Sequence, residues 1–308
     1  MFRFHPGGDR VPPRTDFRQR KPRSRLGTQT ASQAVPAPLP GAPPAVTPEP
    51  EHPRLRLHRD FPSQWLGRDR DVWVYLPPGY EAEPDRRYPV LYLQDGQNLF
   101  DPRTSFAPGV TWQVAETADA AIEAGEVEPL LIVGIANTGE HRLAEYSPTA
   151  DPEMGGGEGS RYGQMMIREL APFLMSRYRV LAGPEHTGVG GSSMGGLISL
   201  YLGLKFPGFF GRLAVLSPSV WWDRKWILRC VEETGARVSP KPRIWLDAGD
   251  AEGSRTLENT RALAERLRAA GWQDDVDLDF EAVPGGRHDE ASWAVRVGPM
   301  LRFLFPAG

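Results

Sequence analysis

A serine sits among small residues in Gly191-Ser192-Ser193-Met194-Gly195, and here a hydroxyl is well set to attack a carbonyl. The residues before it, Thr187-Gly188-Val189-Gly190, read as a short strand. Those after it, Gly196-Leu197-Ile198-Ser199-Leu200-Tyr201-Leu202, start a helix. A strand-to-helix turn this tight forces its serine into a strained backbone, and flanking glycines let the neighbouring chain pass. It also sets the hydroxyl at the first turn of a helix, where backbone N–H groups favour developing negative charge. Alone the pentapeptide is weak; its flanks give it weight.

A serine hydroxyl is a poor nucleophile until a base takes its proton. Of the six histidines, His5 and His52 lie in or beside the N-terminal segment and His58 is in the first strand. His186 directly precedes the serine's strand, at the end away from the turn. His141 is in a loop, a weaker candidate for substrate contact. His288 ends Pro284-Gly285-Gly286-Arg287-His288, just past the last strand, on the carboxyl edge where sites of parallel sheets form. It is the predicted base. The base needs a carboxylate to fix its tautomer and stabilise the imidazolium. Leu246-Asp247-Ala248-Gly249-Asp250-Ala251-Glu252-Gly253 offers three. Asp247 reads as a strand residue with a structural or solvated role, while Asp250 and Glu252 both follow the strand. Serine, acid, histidine is the chain order this chemistry uses, and the residues alone leave Asp250 and Glu252 open.

The tetrahedral oxyanion needs two preorganised N–H donors. Met194, just after the nucleophile, supplies one. The loop Gln94-Asp95-Gly96-Gln97-Asn98 supplies the other, with Gln97 the predicted donor, and Asp95 could shape the loop through its own backbone. Trp221 and Trp222 follow the sixth strand on the same edge and could wall an acyl or aryl group. The stretch from Ala136 to Tyr162 is long for a loop, as lids and binding loops are. Arg142 and Arg161 within it, with Arg287, could present positive charge to an anionic ester. Trp293 reads as core.

These side chains need a sheet to hold them. Eight apolar, β-prone runs qualify as strands: Leu55–Phe61, Asp71–Leu76, Pro89–Leu93, Leu130–Ile135, Thr187–Gly190, Leu213–Leu216, Arg243–Leu246 and Asp277–Val283. The first two form a hairpin across a turn bearing Gly67. The later ones alternate with helical patterns, so the fold class is α/β with a mostly parallel sheet flanked by helices. The clearest helix runs from about Arg255 to Ala270, with Gly271 as its stop. Residues 1–50 differ: an arginine-dense part and then a proline- and alanine-rich part, neither with an apolar period. They read as a disordered tail before a domain over residues 51–308.

The net charge of -3 gives no reason to expect nucleic acid, and the single cysteine, Cys230, makes no internal disulfide. No run is long and apolar enough for a membrane span and the N-terminus lacks a signal's apolar core, so a cytoplasmic protein is expected. The histidines are scattered, so neither metal nor other cofactor is expected. The oligomeric state is left open.

Several segments together are far more specific than the pentapeptide: Val74-Tyr75-Leu76-Pro77-Pro78-Gly79-Tyr80, Tyr92 to Phe100, Glu145-Tyr146-Ser147-Pro148, Leu216-Ser217-Pro218-Ser219-Val220-Trp221-Trp222 and Gly285-Gly286-Arg287-His288-Asp289. On these the chain resembles the putative-esterase family of α/β-hydrolases, which includes enterochelin esterases, feruloyl esterases and related carboxylesterases. The resemblance spans everything but the tail. It implies the α/β-hydrolase fold, a Ser-acid-His triad with Glu252 as the acid, and a small-molecule ester as substrate, whether aryl, feruloyl or catecholate-siderophore. Enterochelin esterases often carry a folded N-terminal domain, and this tail is too short and polar to be one. Two other readings share the fold: acyl transfer on the same triad, as in related mycolyltransferases, and a binding protein without catalysis.

Overall fold

The run Leu131–Ile135 is buried at every position, as a strand covered on both faces must be. It lies inside an eight-stranded sheet, described here from a computed structural model that covers residues 49–308. The expected tail falls, but for its last two positions, outside the described residues.

In chain order the strands are β1 Leu55–Phe61, β2 Arg70–Tyr75, β3 Val90–Gln94, β4 Leu131–Ile135, β5 Thr187–Ser192, β6 Arg212–Leu216, β7 Arg243–Gly249 and β8 Leu278–Val283. Across the sheet they run β1-β2-β4-β3-β5-β6-β7-β8. The β1–β2 hairpin is antiparallel, β2 pairs antiparallel with β4, and every pairing from β4 through β8 is parallel. This is the α/β-hydrolase fold. The eight runs expected from sequence are the eight strands of this sheet, but a separate two-residue pairing, Ala150–Asp151 with Gly155–Gly156, was not expected. Strand β7 also continues three residues past its expected end. Asp247, buried and bonded on both carboxylate oxygens, keeps its place in the ladder, so a charged residue does not end the strand there.

Alternate side chains of each strand point to opposite faces, and each face has its own core. Val90 and Tyr92 of β3 join one cluster, with Leu197, Leu200 and Leu263 from the helices over that face. Leu91 and Leu93 join the other, with Ala115, Ala118, Leu301 and Leu304. Helices Met194–Lys205, Trp222–Thr234 and Ser254–Ala269 cover the first face. Val114–Glu123 and Val297–Leu304 cover the second. No helix among the described residues is long and apolar enough to cross a membrane.

Because β3 to β8 are parallel, the segments leaving β3, β5, β6, β7 and β8 emerge on one edge, and Gln97, Ser193, Trp221, Glu252 and His288 follow those strands there. The long connection after β4 is anchored rather than loose. Glu145 is fully buried and takes two 2.9 Å hydrogen bonds from Arg70 of β2 and one of 3.1 Å from Arg68. The Tyr146 hydroxyl accepts the Asp95 N–H at 3.1 Å, tying this connection to the loop after β3.

Candidate active site

Ser193 leaves β5 at φ 57°, ψ -121°, a conformation sterically costly for any residue with a side chain. Its N–H donates to the Leu216 carbonyl at 3.0 Å, which fixes the turn against β6. The flanking glycines have a measurable reason. A Cβ at Gly191 would stand 2.8 Å from Gln94 Cβ and 3.1 Å from the Gly195 carbonyl carbon. Gly191→Ala is therefore expected to lose about 1–3 kcal/mol through overpacking, read as a lowered midpoint in urea unfolding. An unchanged midpoint would show that the turn has slack. Met194 opens the following helix, so its N–H has no helical carbonyl to bond and is free for an oxyanion.

The Ser193 hydroxyl rests 3.2 Å from the Ser219 hydroxyl. Ser193 and His288 together line two cavities, of about 590 Å³ and about 310 Å³. The imidazole is fixed from behind: its Nδ1 lies 2.9 Å from Glu252 Oε2 and its ring packs edge-on against Trp293. Nε2 is not engaged in that contact.

Glu252 has a fully buried side chain. Its Oε1 accepts from Ser217 Oγ at 2.5 Å, Gly249 N at 2.7 Å and Arg296 Nη2 at 3.1 Å. Burial opposes its ionisation, but the hydrogen bonds from His288, Ser217 and Gly249 outweigh that and hold its pKa below the usual carboxylate value. Asp250, the other candidate, points elsewhere: its Oδ1 accepts the Gly285 N–H at 2.7 Å, bracing the loop that carries His288. The two loops also touch directly. A Cβ at Gly249 would overlap the backbone of Gly286, so each glycine is needed for the other's approach.

Behind Glu252 lies a network that sequence reading missed. Arg296, 2% exposed, donates to Asp247 Oδ1 at 2.8 Å, to Ser217 Oγ at 2.9 Å, to Glu252 and to the Arg287 carbonyl. Burial pushes the Asp247 carboxyl up to about 6, against the pull of Arg296 and Trp245. One guanidinium thus serves two buried carboxylates. Arg296→Met is expected to cost about 3–5 kcal/mol at pH 8, as removal of one partner of a buried ion pair does. Without the cation the Asp247 carboxyl, already raised by burial, would lie further above its unfolded value. Its contribution is then kept at low pH and lost as pH rises through the folded value. Urea unfolding should therefore show a larger deficit at pH 8 than at pH 5; an equal deficit would mean that only packing was lost.

The loop after β3 turns at Asp95, φ 56°, into the single helical turn Gly96–Asn98. A Cβ at Gly96 would collide with the backbone of Gly134 in β4, so this loop lies pressed on the sheet. Gln97 lines the larger cavity, with its side-chain oxygen 3.2 Å from the Asn137 N–H and its carbonyl accepting from Thr104. Asp95 does not bond its own backbone as expected. Both its oxygens are taken, by Asn137 and by a two-pronged contact from Arg142, each at 2.7 Å.

The substrate residues expected from sequence divide. Trp221 is half exposed and lines the smaller cavity beside Ser193 and His288. Trp222 does not: it is buried, with its Nε1 bonded to the Thr149 carbonyl, because adjacent residues entering a helix face different ways. Arg142 lines the larger cavity but its guanidinium is committed to Asp95, so it brings no spare charge. Arg161 lies outside both cavities, bonded to Glu158 and to the Trp65 carbonyl. His141 also lines neither cavity. Trp293 is buried as expected, yet it touches the larger cavity and donates to Ser217. Ser219, Asn98, Phe106 and Glu290 were not anticipated. Ser217 and Ser219 stood in a segment already singled out, but their bonds to Glu252 and Ser193 depend on how β6 lies between β7 and β5.

A family model described as "Putative esterase" matches residues 63–304. YbbA of Bacillus subtilis, an uncharacterised protein, is 27% identical over 229 residues, 69% of this chain and 84% of its own. The ferri-bacillibactin esterase BesA of Bacillus subtilis is 27% identical, over 78% of this chain and 87% of its own. The iron(III) salmochelin esterase of Escherichia coli is 28% identical over 74% of this chain, which spans only 52% of that protein. Among solved structures, the BES protein of Bacillus cereus superposes with a TM-score of 0.68 at 21% identity, covering 84% of this chain and 97% of that one. The enterobactin esterase FES of Shigella flexneri, solved with enterobactin, gives 0.67 at 22% identity, covering 83% and 59%. At those identities the structures speak for the fold.

Proposed function

The chain belongs to the putative-esterase family, and from that premise we propose that it is a serine carboxylesterase acting on a small-molecule ester through an acyl-enzyme on Ser193. The observation that carries this reading is the contact between His288 Nδ1 and Glu252 Oε2, 2.9 Å, behind a cavity that Ser193 shares.

The hydroxyl of Ser193 turns from Ser219 to His288 and attacks the ester carbonyl as its proton passes to Nε2. The carbonyl electron pair moves onto oxygen, which receives the N–H groups of Met194 and Gln97. Glu252, ionised and buried, stabilises the imidazolium opposite. The tetrahedral species collapses, the carbon–oxygen bond to the alcohol breaks, and His288 returns its proton to the leaving oxygen. Water then repeats the sequence on the acyl-enzyme: His288 takes its proton, the acid departs and the Ser193 hydroxyl is restored. Catalytic hydrogen bonds are often loose before substrate binds, and the resting Ser193–Ser219 contact fits that pattern. Trp221 offers a flat apolar wall for an aryl or acyl group in the smaller cavity.

Treatment with a fluorophosphonate probe is the test. Peptide mass spectrometry should find the adduct on Ser193, and Ser193→Ala should carry none. Absence of any adduct on Ser193 in the native protein would sink the reading.

A further inference from the structure

The larger cavity carries a charge that ester hydrolysis as such does not use. Asp95, Arg142 and Glu290 are its charged side chains, besides His288. Asp95 and Arg142 cancel through their paired contact, with 2.7 Å from Nε to Oδ1 and 2.7 Å from Nη2 to Oδ2. Glu290 remains. It is 8% exposed, and its hydrogen bond from another side chain is the 3.3 Å contact from Asn98 Nδ2. No lysine or arginine among the described residues forms an ion pair with it. Arg142 senses Glu290 at longer range, but the three side chains together still carry one negative charge. Burial raises the Glu290 carboxyl, and Asp289 and Asp95 raise it further, against its own backbone N–H and His288. The field there is already negative. The smaller cavity offers no compensation: His288 is its one titratable lining residue.

We infer that Glu290 is a specificity-determining residue that makes this site favour neutral or cationic esters over anionic ones. The inference rests on the esterase reading and narrows its substrate class. A carboxylate or ionised catechol entering the larger cavity would lose water beside a buried like charge with no free cation to meet it. A hydroxyl or ammonium group there would find an acceptor. Discrimination of this kind comes from the repulsive element as much as from any attractive contact.

Three matched esters at pH 8 test it: neutral 4-nitrophenyl butyrate, 4-nitrophenyl hemisuccinate with a carboxylate on the acyl half, and 3-carboxy-4-nitrophenyl butyrate with one on the leaving half. The quantity read is the ratio of kcat/KM, neutral over anionic, since absolute rates depend on each ester's own reactivity. For the half that occupies the larger cavity, Glu290→Gln is expected to lower this ratio by about 10-fold relative to the native enzyme. In the native enzyme 0.5 M salt is expected to lower the same ratio by a smaller factor, since salt screens a partly open site only in part. Ratios for both halves that neither the substitution nor salt moves would overturn the inference, and the salt arm stands even if the variant does not fold. Hydrolysis of none of the three, with Ser193 unlabelled by fluorophosphonate, would overturn the esterase reading and this inference with it. Hydrolysis with unmoved ratios overturns the inference alone.

Discussion

Ser193→Ala is expected to lower turnover of 4-nitrophenyl butyrate by at least about 10³-fold, with KM little changed. The loss should be confined to turnover because the substitution removes one oxygen from a turn that the backbone holds. The Ser193 N–H is bonded to Leu216, its carbonyl accepts the Ser219 N–H, and neither contact uses the hydroxyl. Alanine inherits the same strained φ, so the helix and its free Met194 N–H stay in place. Residual activity would then report what the oxyanion donors achieve with water alone. Steady-state kinetics with a circular dichroism check of folding decide it. A loss below about tenfold in a folded variant would move the nucleophile elsewhere.

Glu252→Gln is expected to lower kcat/KM by about 10³–10⁴-fold, and Asp250→Asn by less than about tenfold. The carboxylate of Glu252 accepts from His288 on one oxygen and from Ser217, Gly249 and Arg296 on the other. A glutamine amide supplies one accepting atom and one donating group. If its nitrogen faces His288, the imidazole is pushed into the tautomer that cannot take the serine's proton. If its nitrogen faces the other way, it meets three donors in a buried site. Asparagine at 250 keeps an oxygen for the Gly285 N–H, so the histidine loop keeps its brace. Initial rates for both variants settle the acid; the reverse order of losses would assign it to Asp250.

How far the sequence revealed this arrangement depended on whether local pattern or spatial partner decided the matter. The strands were legible because a sheet covered on both faces demands near-continuous apolar runs, and Leu131–Ile135 and Leu213–Leu216 show them. The Ser193 turn was legible because backbone geometry demands its glycines. The choice between Asp250 and Glu252 was not visible in the residues themselves, and only the family resemblance leaned to Glu252. The two are two positions apart, and what distinguishes them is that one carboxylate turns inward to Arg296 and Ser217. Trp221 and Trp222 are neighbours with opposite surroundings for the same reason. The arginines misled because a sequence displays charges and hides their partners: Arg142 belongs to Asp95, and Arg161 to Glu158 and a carbonyl.

Where Gly249 meets Gly286, the end of β7 and the loop beyond β8 touch backbone to backbone, and Asp250 and Arg296 clasp the same pair of segments. Glu252 and His288 are therefore carried on one mechanical part rather than two. A chimera that imports either segment alone from a relative would arrive with mismatched halves, whereas exchanging both together would carry the His288–Glu252 contact intact. Diversification is freer around it. The stretches bearing Phe106, Gly139 and Trp221 reach the cavities without entering that clasp, so they can change which ester is admitted while the chemistry behind it stays constant.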